Sequence, residues 1–321
     1  MKQDRCTSTW DLTAPLPGST RHPTDRLVAM DLTESWRTEL PASVVARYDI
    51  IETRNAAAMF KASNPNLLAE MAAVLDGFHF DVERIVRGGG SKHLISAELD
   101  EAFRVAGWRE AKFQQELTTD LVLNPYRPAG EKAKKHLISK SLYEGHQIDN
   151  VKGRIGLDVE WNPKDGNLDR DFSNFRNLYD AGVLDLGILI VRREAGMRGL
   201  WSNTIAQARD LNNAGFVSAQ WSRRLEKTPV DPLGTSTTSN FEKLVTRVKR
   251  GDSGGCPLLA IAITTRCYKE PADLDAEIQR VADNHTAGGH VQRLAERLDP
   301  NANIGDLDEA ISAPEDEDDD E

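Results

Sequence analysis

Two acidic side chains stand two positions apart in a segment that has the pattern of a buried strand. The segment covers residues 154–161 (RIGLDVEW), and the acids are Asp158 and Glu160. Alternation along a strand places residues two apart on the same face, so both carboxylates should project together. A third acid, Asp149, precedes the strand and would arrive from the preceding turn. The spacing predicts a cluster of three carboxylates.

Carboxylates that share one face repel each other unless a positive charge lies between them. A hard divalent cation is the natural candidate, and Mg²⁺ takes one or two carboxylates together with waters and substrate phosphate. Such a site can activate water and neutralise charge on a phosphodiester. The spacing leaves an alternative open, in which Asp158 and Glu160 face solvent on a half-exposed strand with Arg154 or Lys152 as partners.

The segments after this strand predict an α/β fold. A helix is indicated by four apolar residues that share one helical face, namely Leu168, Phe172, Phe175 and Tyr179. Gly182 would end it. Residues 186–191 (LGILIV) then have the composition of a strand buried on both faces. Strand, helix and strand in this order form a right-handed βαβ unit with parallel strands.

Further elements follow from the same periodicities. Apolar spacing predicts two early helices, one through Val44, Val45, Tyr48 and Ile51 and one through Leu67, Leu68, Met71 and Leu75. A third contains Ile95, Leu99, Ala102, Phe103 and Ala106 and stops at Gly107. Strands are expected at residues 116–124, followed by a Pro/Gly/Lys-rich connection to about Leu142, and at residues 258–264. Late helices are expected around residues 241–248 and at Leu274, Ile278 and Val281.

The chain divides into three regions by composition. Residues 1–24, rich in Thr, Ser and Pro, should form an irregular N-terminal arm, residues 25–298 one domain, and residues 299–321 an acidic, disordered tail. No apolar run could span a bilayer and no secretion signal is visible, so a cytoplasmic protein without membrane association is expected. Three cysteines without zinc-like spacing indicate neither a disulfide framework nor a structural metal site.

The net charge of −11 does not by itself exclude a nucleic acid partner, because the charge is unevenly distributed. Seven acids at residues 315–321 account for much of it and leave −4 for the rest. Residues 187–250 contain 11 Lys and Arg against 5 Asp and Glu. A solvated surface explains this local excess as well as a DNA-binding surface does.

Residues 146–152 (HQIDNVK) followed by 157–161 (LDVEW) resemble the PD-(D/E)XK nuclease signature, in the version seen in BglII/BstYI-type restriction endonucleases. The likeness spans roughly residues 54–192, and it includes three further segments: residues 88–92 (GGGSK), residues 99–108 (LDEAFRVAGW) and the helix with Phe172, Phe175 and Arg176. Two positions depart from the general pattern. Relatives usually carry Glu in place of Asp158, and the general pattern has Lys at Glu160, where BamHI-like relatives have Glu and BglII-like relatives Gln.

The resemblance implies a fold, an activity and a site. The fold would be a restriction-endonuclease-like mixed β-sheet with helices on both faces. The activity would be that of a type II restriction endonuclease, hydrolysing duplex DNA at a specific palindrome, with a GATC core suggested by the nearest likeness. Asp149, Asp158 and the Val159 carbonyl would hold Mg²⁺, and Glu160 would act as general base, metal ligand or both. Cutting both strands implies a homodimer, and a cognate DNA methyltransferase is expected in the same host.

Base-reading residues are expected where the chain leaves the catalytic strand. The candidates are Asn162, Lys164, Asp165 and Asn167, because Asn suits adenine and Lys suits guanine in the major groove. A polar turn with Asn167 as helix N-cap explains the same residues equally well. Further candidates for DNA contact are Arg192, Arg193, Thr237 and, for phosphate, Lys92.

The sequence leaves other functions open. A catalytically inactive, sequence-specific DNA-binding protein with the same fold is one, and a DNA-repair or mobile-element nuclease of the same superfamily is another. Residues 251–257 (GDSGGCP) resemble the nucleophile segment of trypsin-like serine proteases. That family is all-β, secreted and disulfide-bonded, whereas this chain has a βαβ unit and three cysteines, so a Gly-rich turn entering a buried strand is the better interpretation.

Overall fold

The structure is a computed structural model that describes residues 32–86, 94–215, 225, 233 and 238–286, with the side chains described up to residue 283. The predicted N-terminal arm, the acidic tail, Lys92 and Thr237 lie outside these residues. In the described part of the chain, no helix is both long and apolar enough to span a bilayer.

A seven-stranded mixed sheet forms the centre of the molecule. Its strands are β1 (Leu32–Thr33), β2 (Tyr48–Thr53), β3 (Arg109–Leu123), β4 (Lys134–Lys152), β5 (Ile155–Glu160), β6 (Leu186–Arg192) and β7 (Leu258–Ile263). Their order across the sheet is β1-β2-β7-β6-β5-β4-β3. Strands β5, β6 and β7 run parallel, and every other neighbouring pair is antiparallel. The predicted parallel pair flanking a helix is confirmed as β5 and β6.

Helices cover both faces of this sheet. They are α1 (Trp36–Glu39), α2 (Ala42–Arg47), α3 (Ala56–Ser63), α4 (Pro65–Gly77), α5 (Val82–Val86), α6 (Leu94–Val105), α7 (Asp165–Asp180), α8 (Met197–Asn213), α9 (Phe241–Arg250) and α10 (Leu274–Thr286). The fold is therefore α/β with a mixed sheet and helices on both faces, as predicted.

Alternation along the buried strands separates two hydrophobic layers. In β6, Ile188 and Ile190 join the layer that contains Phe103 of α6 and Trp201 of α8. Leu189 and Val191 point the other way, into a second layer. Helices α7 and α9 contribute to this layer through Phe172, Phe175, Leu178, Phe241, Leu244 and Val248. Because β6 and β7 are covered on both faces, their sequences are almost continuously apolar, whereas β5 carries Asp158 and Glu160 on one face.

Helix α7 lies very close to the sheet because two glycines face it. A Cβ atom added to Gly187 would lie 2.5 Å from the ring of Phe175, and one added to Gly156 would lie 2.9 Å from the same ring. These distances are shorter than any ordinary carbon–carbon contact. The two glycines therefore allow α7 to pack directly against β5 and β6.

Three predicted elements differ from the structure. The strand expected at residues 116–124 begins earlier, at Arg109. The first predicted helix ends at Arg47, and Tyr48 and Ile51 belong to β2, because this short apolar segment fits either periodicity and pairing with β7 decides for the strand. The second half of the predicted connection to about Leu142 is strand, since β4 begins at Lys134 and pairs with β3. The predicted helices at residues 67–75, 95–106 and 168–179 are confirmed as α4, α6 and α7.

Candidate active site

Asp149 and Asp158 meet where β4 and β5 separate. The two strands pair only from Asn150↔Leu157 to Lys152↔Ile155, so Asp149 is the first residue of β4 beyond this pairing. Its backbone N–H donates to Oδ1 of Asp158 at 2.8 Å. In return, Oδ2 of Asp149 accepts from the backbone N–H of Val159 at 3.1 Å. Each aspartate therefore fixes the position of the other.

Asp158 and Glu160 project toward α7. They lie on the same face of β5 as Gly156, at which an added Cβ would contact Phe175 of α7. Leu157 and Val159 point to the other face and pack in the opposite layer. Only 3 % of Asp158 is exposed, so this carboxylate lies in the interior. The prediction that both acids share a face is confirmed by the strand assignment.

The alternative of a solvent-facing strand balanced by local cations is wrong. Nζ of Lys152 contacts Glu70 of α4 at 2.7 Å, and Nε of Arg154 contacts Asp185 at 2.8 Å. Both cations are thus paired with other acids. Asp158 lies in the interior among carboxylates instead.

A further acid, Asp171 of α7, belongs to this cluster and was not predicted from the sequence. It is 1 % exposed, and its Oδ2 has no hydrogen-bond partner in the described part of the molecule. Asn174, one turn later, donates from Nδ2 to the carbonyl oxygen of His146 in β4 at 2.9 Å. A signal was present in the sequence, because Asp171 and Asn174 interrupt the apolar stripe of a helix otherwise predicted correctly.

Asp100 approaches the same region from α6. Its Oδ1 accepts from Nδ2 of Asn150 at 2.8 Å, and Asn150 is the residue after Asp149. The charge of Asp100 also contributes to the raised pKa of Glu160. The cluster therefore draws on α6 and α7 as well as on the two strands.

The acids are held in an environment that resists their ionisation. Burial, followed by the charges of Asp171 and Asp149, raises the pKa of Asp158 well above its usual range. Burial raises the pKa of Glu160 to about 8, with Asp171 and Asp149 adding to the shift. Burial also raises the pKa of Asp171 to about 7, with Asp149 adding to the shift and Arg170 opposing it. A bound cation would relieve this repulsion.

The donor set fits a hard cation with few protein ligands. Oδ2 of Asp158 is buried and has no hydrogen-bond partner in the described residues. Buried polar atoms normally have a partner, so this oxygen is suited to bind a ligand. Nowhere in the described ranges are three or more Asp, Glu, His or Cys side chains placed to hold one metal ion. Mg²⁺ needs only one or two carboxylates and completes its octahedron with waters and substrate phosphate. The residues present therefore fit Mg²⁺.

The predicted base-reading residues lie together at the start of α7. Asn162 and Lys164 are exposed, and Lys164 forms an isolated β-bridge with Thr238. Asp165 accepts from Oγ of Ser239 at 2.7 Å, which ties this turn to the segment before α9. The N-cap of α7 is Lys164, so Asn167 lies inside the helix and the N-cap interpretation of Asn167 is wrong.

The two predicted arginines at the end of β6 are both paired. Arg192 is fully buried, and its guanidinium donates to Glu194 at 2.8 Å and to Oδ1 of Asn162 at 3.3 Å. Arg193 contacts Asp49 at 3.1 Å and Glu242 at 3.4 Å. The hydrogen bond from the buried Arg192 therefore fixes the position of the Asn162 side chain.

Much of the predicted basic excess in residues 187–250 is neutralised by ion pairs. Arg247 of α9 contacts Asp169 at 2.7 Å and Asp165 at 3.3 Å, and Lys243 contacts Asp165 at 3.5 Å. These pairs join α9 to the beginning of α7. They hold the polar turn that follows β5 against the body of the protein.

The segment that resembles a protease nucleophile is a turn. Ser253 is fully buried, and Gly254 has a φ of +57°, in the left-handed region that favours glycine. The turn leads directly into β7. The interpretation as a Gly-rich turn entering a buried strand is confirmed.

Comparison with known proteins agrees with this geometry. The family model described as "Endonuc-BglII: Restriction endonuclease BglII/BglIII" matches residues 48–263, about two thirds of the chain. The match runs from β2 to the end of β7 and contains every residue of the acid cluster. A search of curated proteins finds no match. The chain belongs to the BglII/BglIII family of restriction endonucleases.

Proposed function

We propose that this restriction endonuclease is a type II enzyme that cleaves duplex DNA at a specific palindrome in a Mg²⁺-dependent reaction. The observation that supports this most directly is the buried carboxylate pair of Asp149 and Asp158, tied together by two cross-strand hydrogen bonds. A pair with an unsatisfied buried oxygen fits a cation site better than it fits a purely structural role.

In this proposal Asp149 and Asp158 hold the cation together with the carbonyl of Val159. When bound, Mg²⁺ would lower the pKa of a coordinated water and neutralise charge on the scissile phosphate. Asp158 offers its free Oδ2, and Asp149 is held in place by the N–H of Val159. The interior position of Asp158 excludes competing solvent from this side of the site.

Glu160 lies at the end of β5, on the face shared with Asp158, and is the proposed base or ligand. As base, its carboxylate accepts a proton from the attacking water. The water oxygen then forms a bond to phosphorus while the bond to the leaving sugar oxygen breaks, and that oxygen takes a proton from solvent. Glu160 fits this role because it is less buried than Asp158 and lies at the end of β5 that leads to the exposed Asn162.

We assign sequence reading to the turn that follows β5, through Asn162, Lys164, Asp165 and Asn167. These residues directly follow β5, so a DNA duplex bound at the acid cluster would lie against them. The bond from Arg192 orients the amide of Asn162 and leaves its Nδ2 group free to donate to a base. Arg193, Thr237 and Lys92 remain proposed DNA contacts.

Cleavage of both strands of a palindrome requires two copies of the site, so the proposed enzyme acts as a homodimer. A host that carries such an enzyme must protect its own recognition sites, which implies a cognate DNA methyltransferase as functional partner.

The proposal is tested by incubating plasmid DNA with the full chain and Mg²⁺. We expect a discrete set of fragments that disappears when a chelator is added. Asp158→Ala should abolish the fragments, whereas Asp180→Ala, an exposed acid at the end of α7, should leave them unchanged. DNA binding without cleavage would indicate the inactive DNA-binding protein instead. Cleavage without fixed fragment ends would indicate a repair or mobile-element nuclease.

A further inference from the structure

Strands β3 and β4 form a long two-stranded ribbon at the edge of the sheet. We define the ribbon as residues 114–144, which are the outer paired parts of β3 and β4 and the connection between them. Because β4 is antiparallel to β5, the residues of β4 before Asn150 extend past the end of β5 that carries Glu160. At about 3.3 Å per residue, the ribbon projects about 40 Å beyond the acid cluster. This length is comparable to one turn of duplex DNA, about 34 to 36 Å.

The far end of the ribbon is basic. We call residues 123–136 the tip, and they contain four cations, Arg127, Lys132, Lys134 and Lys135, against one acid, Glu131. The tip thus has a formal charge of +3, whereas the whole chain has −11. All five charged side chains are exposed. The tip is therefore a basic surface on an otherwise acidic protein, at the end of a projection that begins beside the acid cluster.

Most of the tip cations are not neutralised within the protein. The ion pairs within the ribbon use Lys135 and Lys140, at 2.7 Å and 2.5 Å from their acids. Arg127, Lys132 and Lys134 have no ion-pair partner among the residues that the structure describes. The basic excess in residues 187–250 differs in this respect, because ion pairs to α7 neutralise much of it. The tip therefore has cations to offer to an anionic partner.

Hydrogen bonds hold the backbone of the tip in a defined turn. A short 3₁₀ helix (Arg127–Ala129) ends at Gly130, whose φ of +69° lies in the left-handed region that favours glycine. The backbone N–H of Tyr126 donates to the carboxylate of Glu131 at 2.9 Å, so the one acid of the tip stabilises this turn. A turn that is already formed costs less entropy to order when a partner binds.

Exposed apolar side chains accompany the cations. Of the eleven large apolar side chains that are exposed in the described ranges, nine lie between Leu117 and Tyr143, and they occupy both faces of the ribbon. Apolar surface concentrated in this way marks an interaction site, and the charge indicates the class of partner. Lys and Arg without acidic partners bind phosphate. The major groove of duplex DNA also admits a two-stranded ribbon and offers thymine methyl groups to apolar side chains.

From these observations we propose that the ribbon is a DNA-binding arm. Its tip contacts backbone phosphates outside the sequence that is read beside the acid cluster, through Arg127, Lys132 and Lys134. Such contacts add affinity without sequence preference, because every nucleotide carries the same phosphate. The inference rests on the proposed function, since a duplex bound at the acid cluster is what brings DNA to the ribbon.

The test is fluorescence anisotropy of the full chain with a labelled duplex of about 40 base pairs, in chelator and at several salt concentrations. The tip variant, Arg127→Gln/Lys132→Gln, removes one arginine and one lysine. The matched control, Arg176→Gln/Lys249→Gln, removes the same two types of exposed side chain at the opposite end of the sheet, near the turn that leads into β7.

Each lost phosphate contact should reduce the slope of log affinity against log salt by about 0.9, so we expect a reduction of about 2 in the tip variant and none in the control. Between about 50 and about 200 mM salt, the wild type should then lose about 12-fold more affinity than the tip variant. A wild type without affinity for the duplex, an unchanged slope in the tip variant, or equal reductions in both variants would overturn the proposal.

A second experiment leaves the tip cations in place. In a Cys6→Ser background the two remaining cysteines, Cys256 and Cys267, are buried. Ala133→Cys then places a thiol on the tip, and Ala181→Cys places one at the end of α7, both at exposed positions. After a photo-crosslinker is coupled to the thiol, we expect a covalent adduct with DNA from Ala133→Cys alone. Adducts with DNA from both variants or from neither would contradict the proposal, and adducts of Ala133→Cys with protein in place of DNA would assign the ribbon to a protein partner.

The outcomes separate this proposal from the proposed function. If the wild type cleaves DNA at fixed sites in Mg²⁺ but the tip variant keeps the wild-type slope, only the DNA-binding arm is wrong. If the slope falls as expected but no DNA is cleaved, the arm stands and the proposed function fails. The tip variant should keep the wild-type preference between the recognition site and its single-base variants, because phosphates carry no sequence information. An altered preference would overturn the assignment of the tip to the DNA backbone.

Discussion

Nδ2 of Asn174 donates to the carbonyl oxygen of His146 at 2.9 Å, and this bond ties α7 to β4 beside the acid cluster. Helix α7 carries Asp171, and β4 carries Asp149. The close approach of the helix, permitted by Gly156 and Gly187, brings an acid from outside the sheet into the site. The site is therefore a junction between the sheet and a helix, and not a property of two strands alone.

The first prediction concerns Asp171. Asp171→Asn removes one charge from the cluster and should lower the affinity for Mn²⁺ or Mg²⁺ by about 10- to 100-fold, as is typical for residues that support a metal site. It should also stabilise the metal-free protein, because the repulsion among buried acids falls. Calorimetric titration and thermal unfolding measure the two effects. Asp180→Asn is the control and should change neither. Unchanged affinity and stability in Asp171→Asn would exclude Asp171 from the site.

The second prediction concerns pH. The folded protein raises the pKa of Glu160 to about 8 and that of Asp171 to about 7, against ordinary values of 4.5 and 3.8. At pH values between the ordinary and the raised pKa of each group, the folded state binds more protons than the unfolded state. The free energy of unfolding therefore falls as pH rises. In chelator, we expect a loss of at least about 2 kcal/mol between about pH 5 and about pH 8.5.

The measurement is denaturant unfolding at several pH values. Asp171→Asn should flatten the dependence, and millimolar Mg²⁺ should restore stability at the upper end because the cation binds only the folded state. Stability that rises over this range in the metal-free protein would show that the acids are not crowded as described.

The third prediction concerns the packing of α7. Gly187→Ala would place a methyl group 2.5 Å from the ring of Phe175, so helix or ring must move. We expect a loss of about 1 to 3 kcal/mol in the free energy of unfolding, and weaker cation binding because Asp171 moves with the helix. Gly199→Ala in α8 is the control, since nothing lies within 4 Å of the added carbon. Its stability should be unchanged or increased by up to about 1 kcal/mol.

The fourth prediction concerns base reading. Asn162→Ala removes the exposed amide that Arg192 orients, and should reduce discrimination between the recognition site and its single-base variants by about 10- to 100-fold. Affinity for the cation should be retained, because Asn162 is not one of the acids. Competition cleavage of oligonucleotide duplexes provides the readout, with Asn177→Ala farther along α7 as control. An unaltered preference in Asn162→Ala would exclude Asn162 from base reading.

The centre of the fold could be predicted from sequence because its signals are local. The alternation in β5, the helical stripe of α7 and the apolar run of β6 each belong to one segment, and together they define the parallel pair. The face shared by Asp158 and Glu160 follows from the same alternation.

The remainder depends on contacts between distant segments. Tyr48 and Ile51 fit a helical stripe as well as a strand, and only the pairing of β2 with β7 decides between them. The full length of β4 follows from its pairing with β3, because Lys134 and its neighbours have little strand propensity of their own. Asp171 lies 13 residues beyond Asp158 and joins it only through the packing of α7. The polar break in the apolar stripe of α7 marks Asp171 as unusual, but the sequence does not show that Asp171 approaches Asp158.

The central claim is that the acid cluster cleaves DNA at a fixed site. The most direct test is to digest plasmid DNA of known sequence with the full chain and Mg²⁺ and to sequence the ends of every fragment. We predict that all ends map to one palindromic sequence, with both strands cut at symmetric positions, and that Asp158→Asn produces none. Ends scattered over the plasmid, or fragments that persist in Asp158→Asn, would contradict it.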